Sequence, residues 1–421
     1  MAVQTDRIPA RRRRLGDRLA VLGEREFRWF FIGCTTSLIG SSMAPVAVAF
    51  AVLDDGGGGT EVGWVMAARI LPVVLALLAG GLIADRLGSR RAMLGSELLR
   101  GVVQALFAAL LAAGHAPVWA MVALVAVWGI GEGLFMPAFG AVVPDLVRRK
   151  ELTGDANTLL GLSRSVSTVV GPTAAGLVTA AWGPAAVLLV DAVTYGVGAF
   201  ALAVLRLPVR PAAGEDSMIK DLREGWSEFA ARPWLWITTV QMGLFNLLVW
   251  APFLVLGPLT AQRDLGGARA WGLVMGAYGA GAVFGGLLML GRAPARPLAV
   301  ASVAALGWAL PSGVLAAGVG LPWVAAGALV GGVGSAVCGT LYSTTTQKWV
   351  PVELLGRVTA FGVLGAFALG PLGLAAAGPL AGRFGTGTVL LFGAVWQLVA
   401  GVVVLAVPAV RNRRWEEGPD S

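Results

Sequence analysis

Six charged side chains lie inside long apolar runs of this chain, where a charge is costly. One charge at the centre of a membrane helix costs about 2.5–3.5 kcal/mol on insertion scales, so such residues are typically kept for ion pairs, ion binding or proton transfer. They all belong to the first half of the chain: Arg69, Glu97, Arg100, Glu132, Arg164 and Asp191. The apolar runs after Arg206 carry no interior charge. Chemistry that binds or transfers a proton or an ion is therefore expected in the first half.

Glu132 has the neighbourhood best suited to proton chemistry. It lies in Gly129-Ile-Gly131-Glu132-Gly133, about 16 Å from the cytoplasmic end of the predicted fourth span, and Arg164 lies about 12 Å along the fifth. The two can reach a common depth. Burial favours a protonated carboxyl group and a nearby arginine favours an ionised one, a balance that a proton or a cationic substrate could tip. Glu132 is predicted to be a coupling or cation-binding residue, with a structural ion pair as the alternative.

The other intramembrane charges have simpler interpretations. Asp191 lies about 10 Å from the outer end of the predicted sixth span, near the depth of Arg69, and each is a candidate for coupling or for a structural role. Glu97 and Arg100 are three residues apart, which places them on one helix face. They are predicted to form an intrahelical pair that snorkels to the cytoplasmic end.

Composition shows what must position these residues. Of 421 residues, 57% are hydrophobic and 13% are charged, and the mean hydropathy is +0.76, which excludes an ordinary soluble domain. Twelve apolar runs are long enough to cross a bilayer as helices. They lie near 30–53, 62–84, 92–113, 118–143, 157–181, 184–205, 234–260, 270–291, 297–318, 321–345, 357–381 and 386–409. The predicted fold is an all-α polytopic membrane protein with twelve transmembrane helices.

The distribution of positive charge predicts the orientation. The N-terminus and every second loop hold 26 of the 32 Lys and Arg residues, whereas the opposite loops hold three, Arg263, Arg269 and Arg383. By the positive-inside rule both termini are cytoplasmic, in a multi-pass protein of the inner (cytoplasmic) membrane. The run Arg11–Arg14 is then a topology anchor rather than a nucleic-acid patch. Neither cysteine suggests a metal site, since Cys34 and Cys338 both lie in predicted spans.

A polar segment between Arg206 and Arg232 divides the spans into six and six. The predicted parts are a basic N-terminus (1–28), a six-helix bundle (29–205), a linker (206–233), a second bundle (234–409) and a tail (410–421). The linker has apolar residues at helical spacing, which predicts an amphipathic helix on the cytoplasmic face. Three landmarks recur across it: Gly80-Gly81 with Gly285-Gly286, Glu151–Gly154 with Glu353–Gly356, and Gly171-Pro172 with Gly370-Pro371, at spacings of 205, 202 and 199 residues. Three landmarks in order indicate a duplicated six-helix unit.

The stretch from Gly81 to Arg91 joins two apolar runs through a short polar turn, Gly81-Leu-Ile-Ala-Asp85-Arg86-Leu-Gly88-Ser-Arg90-Arg91. This pattern resembles the loop signature of the major facilitator superfamily of secondary transporters. Phe135-Met-Pro137-Ala138, Pro144–Val147 and Pro351–Val358 resemble the branch that contains bacterial macrolide-efflux and enterobactin-export proteins. The chain departs from the family loop at Ser89, where a basic residue is common, and its second copy has Leu290 in place of Asp85.

The resemblance implies roles for particular residues. The loop residues Gly81, Asp85, Arg86, Gly88, Arg90 and Arg91 would form the gating loop, with Asp85 latching the cytoplasmic side in the outward-facing state. Gly171, Pro172 and Gly176 in the fifth helix, with Gly370 and Pro371 in the eleventh, would lie along the interface between the two bundles, with generic helix packing as the alternative. The fourth helix, which carries Glu132, would face the central cavity.

The second half offers an aromatic and polar set for the cavity wall: Asn246, Trp250, Tyr278 and Tyr342. Aromatics on an uncharged wall suit a bulky amphipathic cargo, whereas tryptophans near span ends also form interfacial belts. No phosphate-binding loop is found, so ATP is not the implied energy source.

The sequence predicts a monomeric transporter and not an enzyme, with no cofactor and with the proton as coupling ion. Its partners would be a small-molecule substrate and the lipid bilayer. It would export an amphipathic compound such as an antibiotic, a macrolide-like natural product or a siderophore. The alternatives are an importer or uniporter on the same fold, and a non-transporting membrane sensor or assembly factor.

Overall fold

A computed structural model describes residues 19–114, 116–147, 149–205 and 218–415. Within these ranges, the side chains of 78–82, 84, 85, 141, 218–222, 224, 352 and 353 fall outside the description. Helices account for nearly all described residues, and no strand occurs among them. The predicted all-α polytopic fold is confirmed.

Twelve membrane-length helices follow one another along the chain, and we number them α1 to α12. The first half contains α1 (Arg25–Asp54), α2 (Gly59–Leu87), α3 (Ser89–Ala112), α4 (Val118–Leu146), and α5 and α6, which together occupy Thr153–Val204. The second half contains α7 (Pro233–Leu265), α8 (Ala268–Met289), α9 (Pro297–Ala316), α10 (Leu321–Trp349), α11 (Val352–Phe367 with Gly370–Phe384) and α12 (Thr386–Ala406). A linker helix, Met218–Ala230, lies between the halves.

The stretch Thr153–Val204 contains two spans although it is nearly continuous. Its 52 residues would extend about 78 Å as one helix, far beyond the roughly 30 Å of hydrocarbon in a bilayer. At Gly183 the backbone leaves the helical region, with φ 79° and ψ 169°. Only glycine adopts such a φ without strain. The chain reverses there, so α5 comprises residues 153–182 and α6 residues 184–204.

The turn glycines show that the two halves repeat the same backbone plan. Gly88, Gly114 and Gly183 have φ of 83°, 70° and 79°, and each has a positive-φ counterpart in the second half at Gly291, Gly318 and Gly385. The spacings are 203, 204 and 202 residues. The same three turns therefore break the helices of both six-helix units.

Two helix pairs make the most extensive contacts between the halves, α2 with α11 and α5 with α8. We call the side of the molecule that carries the linker helix the linker face, and the opposite side the distal face. Near the distal face the pairs are in backbone contact: a Cβ at Gly176 would lie 2.8 Å from the Cα of Gly272, and one at Gly378 would overlap the backbone of Thr60. Small residues permit this approach.

The same pair α5 and α8 is open near the linker face. A Cβ added at Gly161 or at Gly286 would meet nothing within 4 Å. Because the halves touch at one end and separate at the other, the space between them is closed on the distal side and opens to the linker face.

Candidate functional site

The centre of the candidate site is an ion pair between α2 and α4. Arg69 Nε donates to Glu132 Oε2 at 2.7 Å and Nη2 donates to Oε1 at 2.8 Å, a bidentate geometry. The side chains of Arg69 and Glu132 are 28% and 27% exposed, so both remain in reach of the space between the halves. The Arg69 guanidinium also lies 4.2 Å from the centroid of the Trp128 ring.

Two glycines of α4 make this pair possible. A Cβ at Gly129 would overlap the Arg69 carbonyl, and one at Gly133 would overlap that of Val73. Because these glycines have no side chain, the backbone of α4 packs directly on the backbone of α2. This close approach brings the side chains of Arg69 and Glu132 into contact. The predicted environment of Glu132 is thus corrected in one respect: the neighbouring arginine is Arg69 and not Arg164.

Arg164 projects into the same cavity. Its Cζ lies 5.4 Å from the Phe139 ring centroid, and no carboxylate lies within ion-pair distance of it among the described residues. The side chain is exposed. It lines a cavity of about 330 Å³ with Arg69, Arg100 and Glu132, together with hydroxyl groups of α1 and α5.

Glu97 and Arg100 form the predicted pair within α3, at 2.9 Å. The predicted snorkelling is wrong, because the two side chains are only 1% and 5% exposed. Arg100 is enclosed by the rings of Phe135 and Tyr195, whose centroids lie 4.6 and 4.5 Å from its Cζ. Ser37 of α1 donates to Glu97 at 3.1 Å, so three other helices, α1, α4 and α6, enclose this pair.

Asp191 of α6 is fully buried, with 0% exposure. It accepts hydrogen bonds from Gln104 Nε2 at 2.9 Å and Thr194 Oγ1 at 3.3 Å, and no cation pairs with it in the described part of the chain. The neighbouring Tyr195 accepts from Trp128 Nε1 at 2.8 Å. Gln104 and Tyr195 were missed by the sequence reading, although a polar residue in the middle of an apolar span was a signal for them.

The second half contains a different kind of cavity, about 370 Å³ in volume, between α7, α9, α10 and α11. No charged side chain lines it among the described residues. Tyr342 lies on its wall, 3.5 Å from the Thr239 hydroxyl group, with Met242 and Phe367 nearby. Tyr342 is thus placed where a cavity residue was predicted.

The other three predicted cavity residues do not line this space. The Asn246 amide donates to the carbonyls of Met242 and Ala366, both at 3.1 Å, and so connects α7 to α11. The rings of Trp250 and Tyr278 pack at an angle of 37° with centroids 5.0 Å apart, in an aromatic cluster around a void of only about 10 Å³. Their aromatic surface is used for packing inside the second half.

The predicted gating loop is a turn at the linker face. Gly88 separates α2 from α3, while Gly81 and Asp85 lie in α2 with side chains outside the described set. Arg90 donates to the carbonyls of Leu202 and Ala203 at 2.8 and 2.6 Å, which satisfies acceptors at the end of α6. Arg86 and Arg91 are exposed. Arg90 thus fastens the start of α3 to α6.

The predicted interface motif divides between two kinds of contact. Gly176 approaches α8 of the other half, and Gly370 lies near Ile70 of α2, where an added Cβ would be 3.8 Å from Cδ1. Pro371 is in the first turn of the distal segment of α11. Pro172 also lies at this interface, because a Cβ at Gly272 of α8 would be 2.7 Å from its carbonyl oxygen. Gly171 instead packs on Ser42 of α1, within its own half.

Comparison with known proteins gives matches over most of the chain. The family model described as Major Facilitator Superfamily matches residues 30–373. Macrolide efflux protein A of Streptococcus pyogenes is 24% identical over 394 residues, covering 91% of this chain and 95% of that protein. The multidrug efflux pump Tap of Mycobacterium tuberculosis is 27% identical over 388 residues, covering 89% and 91%.

Solved structures with the same fold are more distant in sequence. The nucleoside transporter NupG has a TM-score of 0.69 at 15% identity, covering 91% of this chain and 98% of its own. The peptide transporter POT in complex with sulfate has a TM-score of 0.72 at 14% identity, covering 94% and 99%. At these identities the likeness shows the fold alone.

Proposed function

The chain belongs to the major facilitator superfamily, and we propose that it exports a small amphipathic compound by alternating access coupled to inward movement of protons. The resemblance based on the Gly81–Arg91 loop is confirmed by the family match and by the efflux relatives. The protein is a transporter and not an enzyme. Export and proton coupling are the proposed part.

The observation that carries the proposal is the partly exposed pair of Arg69 and Glu132. Protonation of Glu132 would cancel the carboxylate charge and leave Arg69 as an uncompensated cation in the cavity wall. The next residue on α2, Ile70, lies against Gly370 of α11. A change in the pair would therefore act on the helix contact that must separate when the distal side opens.

The proposed transport cycle follows from the open linker face and the closed distal face. The positive loops support a cytoplasmic linker face, so the open side in this structure would receive the compound from the cytoplasm or the inner leaflet. Closure of that side and opening of the distal side would release it outside. A proton that enters at Glu132 from the distal side and leaves on the linker side crosses the membrane, which supplies about 2.3 kcal/mol per 100 mV in addition to any pH gradient. The working unit would be a monomer in the lipid bilayer.

The test replaces the carboxylate with a neutral isostere. In inverted membrane vesicles, wild-type protein should accumulate an exported dye when a pH gradient is imposed, and Glu132→Gln should lose this accumulation while still binding the dye. Asp55→Asn is the matched control, because Asp55 is an exposed acid in the turn after α1. It should transport like the wild type.

Wild-type accumulation by Glu132→Gln would exclude Glu132 as the coupling residue. Dye movement out of inverted vesicles, or equilibration that ignores the gradient, would instead favour an importer or a uniporter. Export screening against an antibiotic panel in a strain without its own pumps would identify the cargo.

A further inference from the structure

We infer that the transported compound is an amphipathic anion whose acidic group pairs with Arg164; this inference rests on the proposed transport function and specifies its substrate class. The first step is a balance of charges at the first-half cavity. Arg69 is neutralised by Glu132, and Arg100 by Glu97. Asp191 is fully buried and bonded to Gln104 and Thr194, away from any ligand. Among the described side chains of the cavity wall, the accessible charge without a counter-ion is Arg164.

The second step is its position. Arg164 lies about 16 Å along α5 from the start of that helix at Thr153. One turn further on, the Thr168 backbone meets α8, since a Cβ at Gly279 would overlap its carbonyl. Arg164 therefore lies just on the linker side of the point where the halves come together. A ligand entering from the linker face would meet it at the closed end of the cavity.

The third step is the cost of leaving this charge alone. In the linker-open state the guanidinium is exposed and can be hydrated. Alternating access requires the linker side to close, which would remove that water and leave a cation at membrane depth. A buried, unpaired charge is strongly unfavourable, whereas a carboxylate or similar group can form charge-assisted hydrogen bonds with arginine. An anionic cargo supplies the missing counter-charge, and a cationic cargo would add repulsion.

The fourth step is the cavity of the second half. The described side chains that line the second-half cavity carry no charge, and they include Met242, Tyr342 and Phe367. Such a wall suits the apolar or aromatic body of the same ligand, with a few hydroxyl groups to orient it. The two halves together favour a molecule with one acidic end and a hydrophobic remainder.

The test is a binding experiment without any gradient. Purified full-length protein in phosphatidylcholine nanodiscs is titrated with pyrenebutanoate, and binding is read as energy transfer from tryptophan to pyrene. The uncharged pyrenebutanamide and the cationic pyrenebutylamine serve as matched ligands. Empty nanodiscs give the partitioning background. We expect the acid to bind about tenfold more tightly than the amide, equal to about 1.4 kcal/mol, and the amine to bind more weakly than either.

Variants assign this preference to one side chain. Arg164→Gln should lose the tenfold preference while binding the amide as before, and Arg164→Lys should keep most of it. Arg296→Gln removes an exposed positive charge before α9 and should change nothing. Unchanged amide binding shows that each variant is folded.

Three results would overturn the inference: equal affinity for acid and amide, an acid preference that survives in Arg164→Gln, or loss of acid binding when phosphatidylglycerol replaces phosphatidylcholine. The last would assign Arg164 to a lipid headgroup. Because the assay measures equilibrium binding, failure of the proposed export would appear separately, as absent dye accumulation with the acid preference intact.

Discussion

The two halves of this molecule have the same backbone plan and different interiors. The positive-φ turns at Gly88, Gly114 and Gly183 recur at Gly291, Gly318 and Gly385. At the spacing of 205 residues that relates Gly80 to Gly285, Arg69 corresponds to Val274; at the 199 that relates Gly171 to Gly370, Arg164 corresponds to Val363. The first half thus holds the charges where the second holds aliphatic side chains.

This difference divides two tasks between the two cavities. Buried charges respond to protons and ionic groups, and they demand partners in a fixed geometry. An uncharged wall can accept many apolar shapes, because its contacts are not directional. The repeated turns and interface glycines, by contrast, serve a motion that both halves must make together.

The largest expected effect concerns the enclosed pair of the first half. Arg100→Ala leaves the Glu97 carboxyl buried without its cation, which should destabilise the protein by about 3–5 kcal/mol. Thermal unfolding in detergent, monitored by size-exclusion chromatography, measures the loss of stability as a lower midpoint temperature. Tyr342→Phe in the second half should change the midpoint little, because the Tyr342 hydroxyl group has only a 3.5 Å contact with Thr239. Equal midpoints for the two variants would break the contrast between the halves.

A smaller effect is expected where the halves are alike. Gly176→Val and Gly378→Val each force a side chain into a backbone contact on the distal side, and overpacking costs about 1–3 kcal/mol. Both should shift the population toward the distal-open state. A cysteine at Thr173, in a background without Cys34 and Cys338, should then react faster with an impermeant maleimide added at the distal face.

The control for this pair is Gly161→Val, since a Cβ at that position of α5 meets nothing within 4 Å. Its labelling rate should equal that of the parent. If Gly176→Val changed the labelling rate and Gly378→Val did not, closure of the distal side would depend on the α5–α8 pair and not on the α2–α11 pair.

The smallest effect should come from the unequal loops. Asp85→Asn removes the acid that the superfamily resemblance assigns to the latch, and a charge–dipole contact is worth about 0.3–2 kcal/mol. The expected result is a modest shift away from the outward-facing state, seen as slower labelling of the same Thr173 cysteine. Unchanged labelling would count against a latch at Asp85. Leu290→Asp adds an acid at the exposed position of the second half that corresponds to Asp85. The labelling rate of this variant tests whether the difference between the two loops affects the equilibrium.

The sequence predicted the helices well and the contacts between them poorly. Apolar runs and turn residues determine where a helix begins and ends, so twelve spans could be read directly, including the division at Gly183. Depth along a helix can also be counted. The rotation of a helix about its axis and its distance from a neighbouring helix cannot be read from the sequence. For this reason Glu132 was predicted to lie near Arg164, whereas the glycines of α4 bring it to Arg69.

Burial of Glu97 and Arg100 was missed for a related reason. About two to three turns from the start of α3 at Ser89, a charged pair can reach water only if no other helix covers it. The structure covers it with α6, where a Cβ at Gly198 would lie 2.7 Å from Glu97 Oε2. Trp250 and Tyr278 show the same limit, because an aromatic residue that suits a cavity wall suits a packed cluster equally well.

The pairing of Arg69 with Glu132 has a consequence for biosynthesis. The partners are 63 residues apart, so at about 5–20 residues per second the ribosome delivers Glu132 roughly 3–13 s after Arg69. During that interval α2 must wait in the translocon, or at its lipid boundary, with an unmatched arginine. Glu97 and Arg100 enter on one helix, already beside each other. A chaperone or translocon that shelters α2 until α4 emerges would therefore be needed for the one pair and not for the other.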